Sequence, residues 1–111
     1  MTEFAKPPLL PGLLDMLILK SLSLEDMHGY AIAQHLQRVS QDVIRIEEGT
    51  LYPALQRMRQ KGWIKAEWRQ TDHNQRARFY SLTPAGRRQL GEREAGFADL
   101  MAGVRRVMRH N

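Results

Sequence analysis

Glu48-Gly49-Thr50-Leu51-Tyr52-Pro53-Ala54-Leu55-Gln56-Arg57-Met58-Arg59-Gln60-Lys61-Gly62 is the stretch from which the rest of the chain is read. Leu51, Leu55 and Met58 recur at i, i+4 and i+7, one face of a helix. Pro53 fixes φ and lacks an N–H, so it is expected in the first turn, where that donor has no partner anyway. The helix then starts near Gly49 or Thr50, with Thr50 as N-cap. Gly62 is expected to stop it. The face opposite the apolar one carries Gly49, Pro53, Gln56, Arg57 and Gln60.

On the C-terminal side, Ile64, Ala66 and Trp68 alternate with Lys65, Glu67 and Arg69, and Ala77 and Phe79 alternate with Arg76, Arg78 and Tyr80. Period-2 patterning around the polar stretch 71–75 predicts a hairpin. Thr83-Pro84 opens a last helix, Thr as N-cap and Pro at the first helical position. That helix runs to about Met108. Leu90, Phe97, Met101, Val104 and Met108 are spaced 7, 4, 3 and 4, close to the seam of a coiled coil. Gly91, Gly96 and Gly103 each weaken it by about 1 kcal/mol relative to Ala, so packing must hold it.

On the N-terminal side, the segment 42–48 is expected to be extended, with room for a three-residue strand. Before it, Ile32, Leu36 and Val39 mark a helix from Gly29 to Ser40. From Leu13 to Leu24 nearly the whole helical circumference is apolar, so that helix must be covered on several sides. A second subunit is a plausible cover, packing its last helix against Leu13, Leu14 and Leu17. Pro7, Pro8 and Pro11 make residues 1–11 an extended, flexible arm.

The 111 residues suit one domain. Lys+Arg total 17 against 12 Asp+Glu, a formal charge of +5, with no cysteine. Disulfide scaffolds, thiolate metal sites and Cys nucleophiles are therefore excluded. Residues 1–44 carry net −2 and residues 45–111 net +7, which points to a polyanion as partner of the second half. No apolar run approaches the ~20 residues of a membrane span, and the start lacks the pattern of a signal peptide. A cytoplasmic location is expected. The four histidines show no ligand spacing, and no nucleophile elbow, phosphate loop or carboxylate pair is present, so neither metal, cofactor nor enzymatic activity is expected.

Helix, helix, extended segment, helix, hairpin, helix is the order of a winged helix-turn-helix, mainly α with a small β-hairpin. The expected divisions are a flexible arm at 1–11, a DNA-binding winged helix at 12–83 and a dimerisation helix at 84–111. One helix fits the major groove of B-DNA, about 12 Å wide, and a cationic hairpin can follow the flanking phosphates.

His28-Gly29-Tyr30, Glu48-Gly49-Thr50-Leu51-Tyr52-Pro53-Ala54-Leu55, Gly62-Trp63-Ile64 and Tyr80-Ser81-Leu82-Thr83-Pro84-Ala85-Gly86 resemble the PadR family of transcriptional regulators, over about residues 9 to 90. The single helix after the wing is similar to its smaller members. The resemblance implies a homodimeric repressor on a palindromic operator, with the last helix dimerising. It places Thr50, Tyr52 and Pro53 where the family meets DNA, and Tyr30 where it touches the backbone. Arg59 replaces a commonly acidic residue, and Leu13 stands where a capping Thr is frequent. Some members sense small aromatic molecules at the dimer interface. A small aromatic effector is left open here, since Phe97 is the one aromatic of the last helix.

Gln56 and Arg57 are the candidates for base edges, against a reading as plain solvated helix face, and Gln60 lies beside them. A bidentate Arg–guanine or Gln–adenine pair discriminates by about 1–3 kcal/mol. Tyr30 and Tyr52 either donate to phosphates or are partly buried aromatics. Arg69, Arg76 and Arg78 are expected on phosphates. Leu13, Leu14, Leu17, Leu90, Phe97, Met101, Val104 and Met108 are expected at the dimer interface. The competing reading is a winged-helix module for protein–protein contact, with no specific DNA binding.

Overall fold

The computed structural model describes residues 12–110; the proline-rich arm predicted at 1–11 lies outside them. The elements run α1 (Leu13–Leu24), β1 (Met27–His28), α2 (Gly29–Val39), α3 (Glu48–Gln60), β2 (Ile64–Gln70), β3 (Arg76–Leu82) and α4 (Pro84–Arg109). The strands form an antiparallel sheet in the order β1-β3-β2. The hairpin is thus one part of a three-stranded sheet. Met27 pairs with Tyr80 and His28 with Phe79, a bridge too short for periodicity to reveal. The 42–48 segment has room for a short strand but forms none, and Glu48 already belongs to α3. Its start is fixed by Gln41 and Asp42, both at positive φ, which end α2 sharply.

The sides of α1 are covered by its own chain. It packs on α2, α3, α4 and β3, and Ile18 and Leu19 are completely buried. With Ile32, Leu51, Leu55, Met58 and Ile64 they form the centre of the core, each burial worth about 1.5–3 kcal/mol. The chain thus covers most of α1, while Leu24 stays exposed. Leu14 and Leu90, expected at a dimer interface, belong to this core; Leu13 and Leu17 are half-buried against it.

Helix ends follow local chemistry. His28 caps α2, its Nδ1 accepting from Ala31 N at 3.1 Å. Thr83 Oγ1 accepts from Gly86 N at 3.0 Å and caps α4, with Pro84 in the first turn. Any side chain at Gly86 would strike the Trp63 carbonyl, so glycine lets α4 seat on the turn before β2. Gly62, at φ +78°, ends α3. Trp63 N donates to Met58 O at 3.0 Å and Gly62 N to Arg59 O at 3.0 Å, the double bond pattern of a glycine-terminated helix.

The start of α3 differs from expectation. Its N-cap is Glu47 rather than Thr50. Thr50 N and Leu51 N both donate to Glu47 O, at 3.0 and 2.9 Å, so a turn closes before the proline. Pro53 then stands in the second turn, where the bond to Gly49 O is lost. Gly49 is exposed, so water can serve its carbonyl. The packing of Leu51, Ala54 and Leu55 offsets the missing bond. The acidic Glu47 and Glu48 suit the positive end of the helix dipole.

Candidate nucleic-acid interface

Burial of Leu51, Ala54, Leu55 and Met58 fixes the rotation of α3 and turns Gly49, Thr50, Pro53, Gln56 and Gln60 outward. Gln56 is held in place by Arg59, whose Nη2 donates to Gln56 Oε1 at 3.1 Å. The helix thus offers solvent a narrow, small-residue ridge with amides toward its C-terminal half. That shape lets backbone approach a groove closely.

Tyr52 flanks this ridge on the α2 side. A Cβ at Gly29 would lie 2.6 Å from its hydroxyl, so the Tyr52 ring lies flush on the start of α2 because position 29 has no side chain. Burial, then the neighbouring Glu48 and Tyr80, push the Tyr52 hydroxyl up from its usual value. The phenol stays protonated and able to donate. Tyr52 is 43% exposed with its ring packed, the partly buried aromatic of the sequence reading. Tyr30, at the first turn of α2, is 63% exposed. Tyr30 and Tyr52 line one open depression between α2 and the start of α3, together with Gln34 and Glu48.

The wing arginines do not share a face. Register pairs Ile64 with Leu82, Ala66 with Tyr80, Trp68 with Arg78 and Gln70 with Arg76. Arg76 and Arg78 therefore lie on the same face as the buried Ile64 and Tyr80, further along the hairpin. Arg69 lies on the opposite face. It crosses Phe79 at 5.3 Å and pairs with Glu67 at 2.5 Å and Asp26 at 2.9 Å. These partners, Glu67 first, hold its pKa above the usual guanidinium value. Arg69 ties the residue just before β1 to the hairpin, so a phosphate there would compete with two carboxylates.

Arg57 is also committed. Its Nη2 lies 2.5 Å from Asp15 Oδ1; the Asp15 side chain is 6% exposed and that of Arg57 47%. Arg57 is exposed, beside Thr50 on the helix surface, and its guanidinium reaches across to α1. The signal that could have revealed this is Asp15 itself. A lone carboxylate within an otherwise apolar helix needs a cation to be buried.

From Glu94 onward α4 leaves the body of the protein. Phe97, Leu100, Val104, Val107 and Met108 are exposed, from 40% to 77%; Met101 is half-buried. Among the described residues no group of His, Asp and Glu could hold a metal ion, and no helix is long and apolar enough to cross a membrane.

The sequence matches the family model "Transcriptional regulator PadR-like family" over residues 18–92. It is 37% identical over 79 residues to Transcriptional regulator Rv3488 of Mycobacterium tuberculosis, covering 71% of this chain and 70% of that protein. A PadR family transcriptional regulator from Eggerthella lenta is 34% identical, with TM-score 0.78 over 90% of this chain and 85% of its own. A PadR family regulator from Clostridium difficile is 30% identical, with TM-score 0.75 over 87% and 99%. With the helix-and-wing arrangement matched over most of its length, this chain belongs to the PadR-like family of transcriptional regulators.

Proposed function

We propose that the chain is a homodimeric repressor that binds a palindromic operator through α3 and the wing, in the cytoplasm. The observation that supports this reading is the exposed ridge of α3, with Tyr52 beside it lining one open depression together with Tyr30. In this reading Gln56 and Gln60 meet base edges, while Thr50 and Pro53 allow close approach to the groove. Tyr30 and Tyr52 donate to phosphates. Arg76 and Arg78, which among the described residues have no carboxylate partner, neutralise flanking phosphates. As a member of a family of transcriptional regulators, the chain is not an enzyme.

The homodimer rests on α4. Phe97, Met101, Val104 and Met108 repeat at 4, 3 and 4, flanked by Leu100 and Val107, and much of this stripe is open to solvent. A second copy of the same helix buries it. Two-fold symmetry then sets the two α3 helices about 34–36 Å apart, one turn of DNA. Leu13 and Leu17, half-buried at the α1 end, are positioned to join that interface. An aromatic effector would bind where the two copies meet; a thermal-shift screen with phenolic acids and planar cations tests for it.

Selection of bound duplexes from a random pool tests the whole reading. Expected is an inverted repeat, bound with log K falling against log salt by about 0.9 per phosphate neutralised. Weak binding to every duplex alike overturns it.

A further inference from the structure

The wing carries one arrangement that the roles above do not use. Trp68 is 58% exposed. The Arg76 guanidinium lies 5.5 Å from its ring centroid and that of Arg78 6.0 Å. Arg78 Nε is buried and makes no hydrogen bond. An open indole is thus backed by two cations that the fold leaves without carboxylates, in contrast to Arg69 behind them, which has two.

Register gives this pad a direction. Trp68–Arg78 follows Ala66–Tyr80 on one face of the hairpin, about 7 Å further along. Tyr80 is buried in the core that Leu51, Ala54 and Leu55 of α3 also enter. The pad therefore sits one step beyond the first half of α3, on the face of the sheet that packs on the helices. Its occupant must offer negative charge and an apolar wall together. The minor groove does so: phosphates line its rims and deoxyribose its sides, and at about 6 Å it admits side chains but no hairpin.

We propose that Trp68, backed by Arg76 and Arg78, enters the minor groove beside the α3 site and lays its indole along the sugar wall. This rests on the DNA-binding reading above. Narrow A·T-rich grooves carry the stronger negative potential, and apolar wedges open flexible steps. The pad thus selects the flanks of the operator by shape, where α3 reads none of the bases.

The chain has two tryptophans, so Trp63→Phe isolates Trp68 as a fluorophore. Titration with the selected duplex should at least halve quenching of Trp68 by acrylamide. Trp68→Ala should weaken binding about tenfold, the scale of one aromatic–nucleotide contact, with the salt slope unchanged because no charge is lost. Trp68→Phe should recover part of that loss. Exchanging A·T-rich for G·C-rich flanks should weaken the parent protein more than Trp68→Ala. Equal quenching in the free and saturated protein, or equal affinity of Trp68→Ala, overturns the inference while leaving operator binding intact. Quencher protection that rises with protein concentration alone also overturns it, because the indole then meets another protein. If the parent protein binds no selected duplex, the DNA-binding reading falls and this inference falls with it.

Discussion

Replacing Arg57 by Met removes the cation from a buried carboxylate while keeping the length of the side chain. Asp15 is 4% exposed as a residue, so water cannot replace the lost partner fully. Stranding one member of a fully buried pair costs about 3–5 kcal/mol. The Arg57 side chain is 47% exposed, so the pair is open at one end and the figure must be reduced. About 2 kcal/mol is the expected loss, or roughly 10 °C in Tm for a domain of this size. Asp15→Asn keeps an acceptor facing Arg57 and should cost only about 0.5–1 kcal/mol. The double variant should be more stable than the sum of the single losses implies, with a coupling of about 1 kcal/mol. Urea denaturation of the four proteins at one fixed concentration measures this, since a dimer's stability varies with concentration. Additivity within about 0.5 kcal/mol would refute the reasoning and return Arg57 to the solvent. The same set separates a structural role from base recognition. A residue that only positions α3 shifts stability, and weakens all duplexes alike. One that reads a base leaves stability unchanged and relaxes preference at one position.

Gly29→Ala puts a methyl group against the Tyr52 ring and should destabilise by about 1–3 kcal/mol; adding Tyr52→Ala should recover part of the loss in the same urea titration. Val104→Asp places a charge in the exposed α4 stripe, away from the core, and sedimentation should find monomer with the fold retained by circular dichroism; an unchanged dimer places the interface elsewhere. Arg76→Ala should reduce the slope of log K against log salt by about one, while Arg69→Ala, whose guanidinium is already paired, should leave it nearly unchanged. An equal drop for both would mean that the Glu67 and Asp26 contacts yield to phosphate on binding.

What the sequence made legible were features controlled by near neighbours. The ends of α1 and α2, the caps at His28 and Thr83 and the stop at Gly62 depend on a few residues each, and all form where the local chemistry puts them. Pro53 misled because its usual cost is local, while its tolerance in α3 comes from tertiary burial of Leu51 and Leu55 and from the open space around Gly49. The β1–β3 bridge joins residues about fifty apart, so no periodicity announces it. The apolar circumference of α1 was legible, but not what covers it. A pattern reports that a surface must be buried and is silent on whether the same chain or a copy does so. For α1 the same chain covers most of the helix, whereas much of the stripe at the end of α4 stays exposed.

The arginines carry the same lesson into the candidate site. By composition, Arg57, Arg69, Arg76 and Arg78 are equivalent cations in a positive half of the chain. Their difference lies in which carboxylates the fold delivers, and Asp15 and Asp26 come from the other, acidic half. That half thus supplies ions that spend some of the basic charge on internal joints: α1 to α3, and β1 to the wing. Of these four arginines, the two beside Trp68 are left over. A guanidinium already in contact with a carboxylate must lose that contact to take a phosphate, whereas one resting on an indole face loses little and keeps its N–H edges outward. Net charge therefore overstates the binding surface, and the informative quantity is charge without an internal partner. By that measure Arg76 and Arg78 count towards the binding surface where Arg57 and Arg69 do not, and Arg87, Arg88, Arg105, Arg106 and Arg109 of α4 add further cations without a carboxylate among the described residues.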